Sequence, residues 1–559
     1  MAEKGRSLFC LAFAMDWSIN GQTPEFLAAT RMISLADSIV RTILTNVPLE
    51  AGMNVLDVGC GSGEYCFRLG SAVEGVRFTG LEYDPHFVEF ANARARGEVG
   101  YPFEQPSPLN EYRFVCGDGL DLPFDDGTFD AVISHTYLTA LPDWATALAE
   151  MCRVCKPGGI VSSITSLTDD FYGTGTIELF SGLLEGEDAE VVARVNAAKT
   201  DLIETMTLAP GIAPRKAPVA FEWIGLERVH CTPLAHYFCL SDADIDADDY
   251  IRYVDLLCEM ERKQLARLSQ AARDASSNEK EQQAACERAP RTLPSSATSG
   301  LRESDLDRYA ELIEQRRDYL IGSMGANREW DWYGNASLLV SGTVPLQGPS
   351  DKCATLRADM QKARQFVASC ENASLQVTCC DMVQLGPGRC VESTFGTSGD
   401  QRVTVFGFDP PSAIVEGHAK LLACELDRRR GAARNNKSAH QPLPPDAAAL
   451  ELAVKERHYE EIERQLDPSL CTSTLPEYPA EAVFDSSAMW ETVSEAALSG
   501  MSVSFRDAGA ILAEDGADLF AIVCTAEFDH RKSCGISVHA SCQTAAQRAL
   551  ARALGHLRQ

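Results

Sequence analysis

Asn54-Val55-Leu56-Asp57-Val58-Gly59-Cys60-Gly61-Ser62-Gly63-Glu64 runs from a short apolar strand into a glycine-rich turn and on into the start of a helix. Glycines at 59, 61 and 63 let the backbone turn sharply and let a ligand come close where a Cβ would collide. Such a turn is a nucleotide-binding candidate, but glycine turns are common and this one decides little by itself. The dinucleotide fingerprint G-x-G-x-x-G needs its third glycine at position 64, where Glu64 stands. A pyrophosphate on that helix N-terminus would meet a carboxylate, which disfavours a diphosphate. The expected ligand is nucleoside-like and carries no phosphates.

The segments that follow sharpen this. Val76 to Glu82 reads as a second strand, ending in an acid about twenty residues after the turn, where a ribose-binding carboxylate belongs. A third strand, Tyr112 to Cys116, leads into Gly117-Asp118-Gly119 and then into Asp125-Asp126-Gly127-Thr128-Phe129-Asp130. A fourth strand from Ala131 to His135, a helix, the turn Arg153 to Gly159 and a fifth strand from Ile160 to Thr165 complete the series. Strands alternating with helices across short turns predict an α/β fold with a parallel, doubly wound sheet.

LDVGCGSG, LEYD, GDGLDLPFDDGTFD and RVCKPGG, in this order and spacing, resemble the successive motifs of class I S-adenosylmethionine-dependent methyltransferases, in the subgroup with small-molecule C-, O- and N-methylating members. The resemblance implies a Rossmann-like seven-stranded sheet with S-adenosyl-L-methionine as cofactor. It implies that Asp57 and the backbone of Gly59, Cys60, Gly61 and Gly63 hold the amino-acid end of that cofactor. It further implies that Glu82 takes both ribose hydroxyls and that Asp118 with Gly119 contacts adenine, with Tyr83 and Ser134 also among the cofactor-binding positions. The ammonium and sulfonium of this cofactor suit an acidic pocket. Each acid alone would read as a solvated strand-end carboxylate; their joint placement reverses that reading.

At 559 residues the chain is long enough for two or three domains. Its formal charge is −30, about −23 before residue 346 and about −7 after. An acidic methyltransferase half repels phosphate backbones, so no nucleic-acid partner is expected. The basic run Arg428-Arg429-Arg430 reads as a solvated loop. Twenty cysteines are scattered, with Cys152-x-x-Cys155 the one C-x-x-C, so no metal site is expected and the thiols point to a reducing, cytoplasmic location. No apolar run reaches a membrane span, so no membrane partner is expected. Leu8 to Met15 follows Lys4 and Arg6 in the manner of a short signal peptide, and a start at Met15 is the alternative.

Residues 22 to 47 carry helical periodicity and predict an N-terminal helix, either a lid presenting Arg31 or Trp17 to the pocket or a helix packed on the sheet edge. After the fifth strand, helices are expected at Ile177 to Leu184 and Asp188 to Met206, a Pro-rich passage at 210 to 218, and a sixth strand at Leu226 to Thr232. This stretch is where specificity elements are expected. Helices at Tyr250 to Leu268 and Leu306 to Gly322 flank a Ser/Ala/Gln/Pro-rich segment, 269–303, that predicts a disordered insertion. Ala336 to Val344 reads as a seventh strand, which extends the first domain over 1–345.

Residues 346–559 form a second, α+β domain with an internal echo. Leu375 to Asp381 is matched by Met501 to Asp507, and Val403 to Asp409 with its helix by Gly535 to Ser541 with its helix, predicting two helix-strand-strand-helix units. Leu422 to Arg428 and the pattern G-x-S-x-H-A-S…A-x-x-R-A-L-A-R-A-L resemble YcaO-type domains, which modify peptide backbones in natural-product biosynthesis with ATP. In that resemblance Glu425 would hold magnesium, yet Thr544 to Leu557 contains no acid, so a degenerate copy used for binding or assembly is expected. An unrelated repeating α/β module is the alternative.

Methyl transfer from a sulfonium is an in-line displacement, so positioning supplies much of the acceleration and no metal is demanded. Neutral nucleophiles need a base, and the fourth strand delivers His135 and Tyr137 to the carboxyl edge of the sheet. His135 is the candidate base, against a structural histidine capping the strand; Tyr137 is a catalytic candidate or a pocket wall. No N-P-P-Y-like sequence is present. The expected function is a methyltransferase acting on a small molecule or a peptide, its C-terminal domain recognising substrate or forming a homodimer. A non-catalytic scaffold that binds S-adenosylmethionine in a peptide-modification complex is the alternative.

Overall fold

The computed structural model describes residues 23–558 apart from 101–102, 104, 142, 167–183, 207–215, 240–250, 253, 260, 267, 270–300, 323–331, 373–376, 385–390, 398–401, 408, 436–500, 513–517, 529–530 and 540. Among the described residues the chain divides into two compact units, one ending at Ala354 and one beginning at Thr355. The division falls inside a helix, Asp351–Asn372, rather than at residue 346.

The first unit is built on seven strands: β1 Asn54–Val58, β2 Arg77–Glu82, β3 Glu111–Cys116, β4 Phe129–His135, β5 Cys155–Ser166, β6 Glu227–Cys239 and β7 Trp332–Thr343. Their order across the sheet is β3-β2-β1-β4-β5-β7-β6. The pairs β1 with β2, β2 with β3, β1 with β4 and β4 with β5 are parallel, while β7 runs antiparallel to both β5 and β6. This is the seven-stranded Rossmann-like sheet, closed by one reversed strand that the sequence pattern did not distinguish from a parallel one. The strand order reverses between β1 and β4, so the loops after β1, β2, β3 and β4 open at one carboxyl edge around a topological switch point.

Helices α1 Pro24–Ser34 and α2 Asp37–Asn46 precede the sheet, where a single N-terminal helix was expected. The break is pinned by Arg68 of α3 (Glu64–Gly70), whose Nε donates to the Leu35 carbonyl at 2.9 Å and whose Nη2 meets Asp37 at 2.6 Å. Helix α4, Pro85–Ala95, starts with proline at its first position and Asp84 as cap, accepting the His86 N–H at 2.9 Å. Helix α5, Trp144–Val154, is capped in the same way by Asp143.

Two apolar cores hold this unit. One packs α2, β1, α3 and the inner sheet through Ile39, Ile43, Val55, Leu69, Phe78 and Phe114. The other joins Ala28, Ala29 and Met32 of α1 to α6 (Gly186–Met206), to helical residues within 251–269 and to α8 (Glu303–Gly322). The elements inserted after β5 and β6 therefore grip the N-terminal helix from its outer face. Helix α7, Ala217–Ile224, covers β6 and β7. The expected helix Ile177 to Leu184 and the segment 269–303 fall wholly or largely outside the described residues.

Glu64 and Arg94 form an ion pair with both side chains 1% exposed, and the guanidinium lies over Phe67 and Phe103. A buried pair of this kind fixes α3 against α4, because removing one partner strands a charge.

The second unit holds two antiparallel three-stranded sheets, β8 Val377–Gln384, β9 Val391–Thr397, β10 Arg402–Gly407, and β11 Ser502–Leu512, β12 Asp518–Phe528, β13 Arg531–His539. Each meander is followed by a helix, α10 Pro410–Asn435 and α11 Cys542–Arg558; α9 is Asp351–Asn372. The first half of the echo is a helix, three strands and a helix; the second is three strands and a helix, with residues 436–500 before it outside the described residues. Each half thus carries a middle strand beyond the expectation: β9 has Val391 and Phe395 as its only large apolar residues, and β12 is an apolar run bounded by acids. Ala545, Ala546, Ala549 and Ala553 of α11 sit directly on β12 and β13, where Gly535 leaves no room for a Cβ.

Arg94→Met should destabilise the first unit by about 3–5 kcal/mol, and Glu64→Leu combined with Arg94→Met should recover most of that loss. Denaturant unfolding of the three proteins followed by tryptophan fluorescence checks both values.

Candidate functional site

The carboxyl edge between β1 and β4 collects the residues singled out from the sequence. Gly59 (φ 71°) and Gly63 (φ 79°) take the left-handed conformation that the turn requires. A Cβ at Gly59 would lie 2.5 Å from the Tyr137 ring, and one at Gly61 would lie 2.5 Å from Leu27 of α1. The glycine turn is thus approached from two sides, by the loop after β4 and by the N-terminal helix.

Asp57 is 1% exposed. Its Oδ2 accepts the Cys66 thiol at 3.6 Å, and its Oδ1 has no hydrogen-bond partner among the described residues. Burial pushes its pKa up to about 8, and the nearby Glu82 carboxylate adds to this, against the Cys66 hydrogen bond and the Arg31 charge. Glu82 accepts three backbone N–H groups, Gly61 on Oε2 at 2.9 Å and Tyr83 and Asp84 on Oε1 at 2.8 and 3.1 Å. Burial still raises its pKa above the ordinary carboxylate value. Glu82 therefore locks the glycine turn to the end of β2. Asp118 accepts the Leu120 N–H at 2.9 Å at the end of β3, and the Tyr137 hydroxyl reaches the neighbouring Gly119.

His135 is buried, with its ring edge-on to Tyr65 and no partner for Nδ1. Desolvation, reinforced by the Arg31 charge, holds its pKa well below 6.5, so the imidazole is neutral through the physiological range. It lines a cavity with room for about one water molecule, together with Ser34, Leu35, Ile39, Ile164, Leu234 and Ser337. Arg31 donates to Thr136 Oγ1 at 2.9 Å, and burial lowers its own pKa to about 10.

Several sequence assignments change. The Ser134 hydroxyl donates to Ser163 Oγ at 3.0 Å within the sheet, so this side chain does not face the turn. The Cys60 thiol lies beside Gly80 in β2, leaving only its backbone at the turn. Tyr137 spans Gly59 and Gly119, and burial among carboxylates pushes its hydroxyl well above 10; its position is that of a wall, not of a base. Glu64, the first residue of α3, is paired with Arg94, so it does not stand as a bare charge against a diphosphate. Trp17 lies outside the described residues, and so does the Glu425 side chain. Cys152 and Cys155 are not in a disulfide, while Cys534 is disulfide-bonded. No described helix is long and apolar enough to cross a membrane. Contacts that the sequence reading missed are Cys66 on Asp57, Arg94 on Glu64 and the positive φ of Thr136.

Residues 56–163 match the methyltransferase domain family. Demethylmenaquinone methyltransferase of Staphylococcus aureus is 32% identical over 122 residues, 22% of this chain and 46% of that protein. The Staphylococcus epidermidis enzyme of the same name is 32% identical over 120 residues, 21% of this chain and 45% of that protein. The chain therefore spans less than half the length of these curated relatives. A putative methyltransferase from Bacillus halodurans is 15% identical, covering 55% of this chain and 99% of its own, with a TM-score of 0.28. Geranyl diphosphate C-methyltransferase from Streptomyces coelicolor is also 15% identical, covering 55% of this chain and 78% of its own, with a TM-score of 0.26.

Asp57→Asn should raise the thermal midpoint of the ligand-free chain, more at pH 8 than at pH 5. Below the ordinary pKa of 3.8 the carboxyl is protonated in both folded and unfolded states and costs nothing. As pH rises toward 8 the folded state pays to keep or lose that proton, with an upper limit of about 4 kcal/mol at pH 7. Calorimetric melts at the two pH values check the sign.

Proposed function

We propose that this chain is an S-adenosylmethionine-dependent methyltransferase acting on a small molecule, with its first unit holding cofactor and acceptor. The observation that carries this reading is a buried carboxylate with one open oxygen, Asp57 Oδ1, two residues before a turn whose glycines leave no room for a Cβ. A ligand bearing an ammonium satisfies that oxygen, and the match of residues 56–163 to the methyltransferase domain family supports such a ligand.

The residues present fit this cofactor. Asp57 is placed for the ammonium. After its three backbone hydrogen bonds Glu82 keeps an open lone pair on Oε2 and is placed for a ribose hydroxyl. Asp118 and the Gly119 backbone are placed for the adenine, with Tyr137 packed behind them. When bound, the cofactor supplies an electrophilic methyl group on a sulfonium. Arg31 and Leu27 of α1 close the edge from the N-terminal side and restrict water. His135, neutral and at the end of β4, accepts the acceptor's proton. Its lowered basicity suits an acceptor that is itself fairly acidic, such as an enol or phenol-like hydroxyl. The relatives named as demethylmenaquinone methyltransferases support a quinone-like acceptor. The second unit, a doubled three-strand-and-helix module, serves substrate recognition or homodimer formation in this reading, and its likeness to YcaO-type domains supports a peptide only in that role.

Calorimetric titration tests the cofactor site: the full chain should bind S-adenosylmethionine at micromolar concentration, and Glu82→Ala should lose about a hundredfold. Absence of binding by the wild-type chain would overturn the proposal. With an acceptor found by radiolabelled methyl transfer, His135→Gln should lower kcat by about 10²–10⁴ while leaving cofactor affinity within about twofold. In the wild-type enzyme kcat should stay level as pH falls through 6.5, because His135 takes up its proton only well below that value.

A further inference from the structure

Asp57 is held from one side only. Its backbone is fixed in β1 between Gly80 of β2 and Ile133 of β4, and its side chain enters a buried space walled by α3. The Cys66 thiol, in the first turn of α3, donates to Oδ2 at 3.6 Å, and it is the only side-chain donor to this carboxylate among the described residues. Oδ1 is left as the open acceptor. Both side chains are essentially inaccessible, Asp57 at 1% and Cys66 at 0%. A small apolar residue would pack at position 66 equally well, so the thiol's chemistry adds something that packing does not require.

We propose that Cys66 is a positioning residue for the cofactor: its thiol fixes the Asp57 carboxylate through Oδ2 and so presents Oδ1 to the cofactor's ammonium. This deepens the methyltransferase reading and rests on Asp57 being the ammonium site. The thiol acts in two ways. It removes rotational freedom from a carboxylate that has no other side-chain anchor, and it donates a hydrogen bond to the ionised form, which favours the charge that the ammonium needs. The second effect is visible in the opposition of terms at Asp57, where burial drives the proton on and the Cys66 hydrogen bond is the largest influence driving it off. The thiol itself remains protonated, because burial beside the carboxylate pushes it well above 9. It is therefore a donor at every pH of interest and has no role as a nucleophile.

The test compares the full-length wild type with Cys66→Ala and Cys66→Ser by calorimetric titration of S-adenosylmethionine from pH 6 to pH 9. Comparing proteins at the same pH cancels the ligand's own titration. Cys66→Ala should bind about tenfold more weakly at pH 7, and the deficit should shrink toward pH 9, where Asp57 is ionised in both proteins. Cys66→Ser, which restores a donor, should recover most of the affinity. The ligand-free proteins supply a second readout: destabilisation by Asp57 should still begin near the ordinary carboxyl pKa but continue to grow to a higher pH in Cys66→Ala. An affinity unchanged by Cys66→Ala at every pH would overturn the positioning role while leaving the cofactor site intact. A serine variant as weak as alanine would also overturn it. If the wild type binds no S-adenosylmethionine, both the site and this role fall together, and Glu82→Ala then shows no further loss.

Discussion

The first unit depends on keeping two acids, Asp57 and Glu82, in an interior that has almost no counter-charge for them. Parallel strands buried on both faces bring the ends of β1 and β2 side by side, and the acids come with them. Glu82 is tolerated because three backbone N–H groups surround it. Asp57 has one weak thiol donor and a distant guanidinium, and its carboxyl drifts up to about 8. A fold selected only for stability would place an amide or an aliphatic residue there. The cost is explained if a cation completes the site, since a ligand that binds only the native state returns the energy the empty site gives up.

The N-terminal helix stands in the same balance. Arg31 brings positive charge close enough to Asp57 to lower its pKa and close enough to His135 to keep it neutral. Its own pKa falls to about 10 through burial, so it remains charged under all physiological conditions. One guanidinium thus holds the acid toward its ionised form and the imidazole toward its neutral form. Helix α1 can do this only because its opposite face is gripped by the inserted helices through Ala28, Ala29 and Met32. The insertions that lengthen this domain are therefore tied to the electrostatics of the site.

Much of this arrangement was legible in the sequence. Glycine spacing, the acid twenty residues on, and the alternation of strands and helices report on the backbone, and the backbone is what a parallel sheet fixes. Asp57, Glu82, Asp118 and His135 consequently lie where the spacing placed them. Side-chain direction was less legible. Ser134 and His135 are adjacent, yet one bonds within the sheet and the other faces a cavity, because successive side chains of a strand alternate in direction. Glu64 was taken as a charge at a helix N-terminus because its partner, Arg94, is thirty residues away and nothing local announces the pair. The strands β9 and β12 are illegible for opposite reasons, one carrying too few large apolar residues and one too evenly apolar to separate strand from helix.

Thr136 shows where the site's strain is stored. A β-branched residue at φ 56° is disfavoured, and costs of about 1–3 kcal/mol are usual for such conformations. Four hydrogen bonds hold it: its N–H to the Ile164 carbonyl, its hydroxyl to the His135 carbonyl, Arg31 onto that hydroxyl, and Thr139 onto its carbonyl. The left-handed turn it makes lets the chain leave β4 with His135 facing the cavity and Tyr137 returning over Gly59. A glycine at 136 would relieve the strain but would also lose the hydroxyl through which Arg31 is docked. The N-terminal helix and the wall of the turn are thus coupled through one side chain, and the strain there is the consequence of making a single residue serve both.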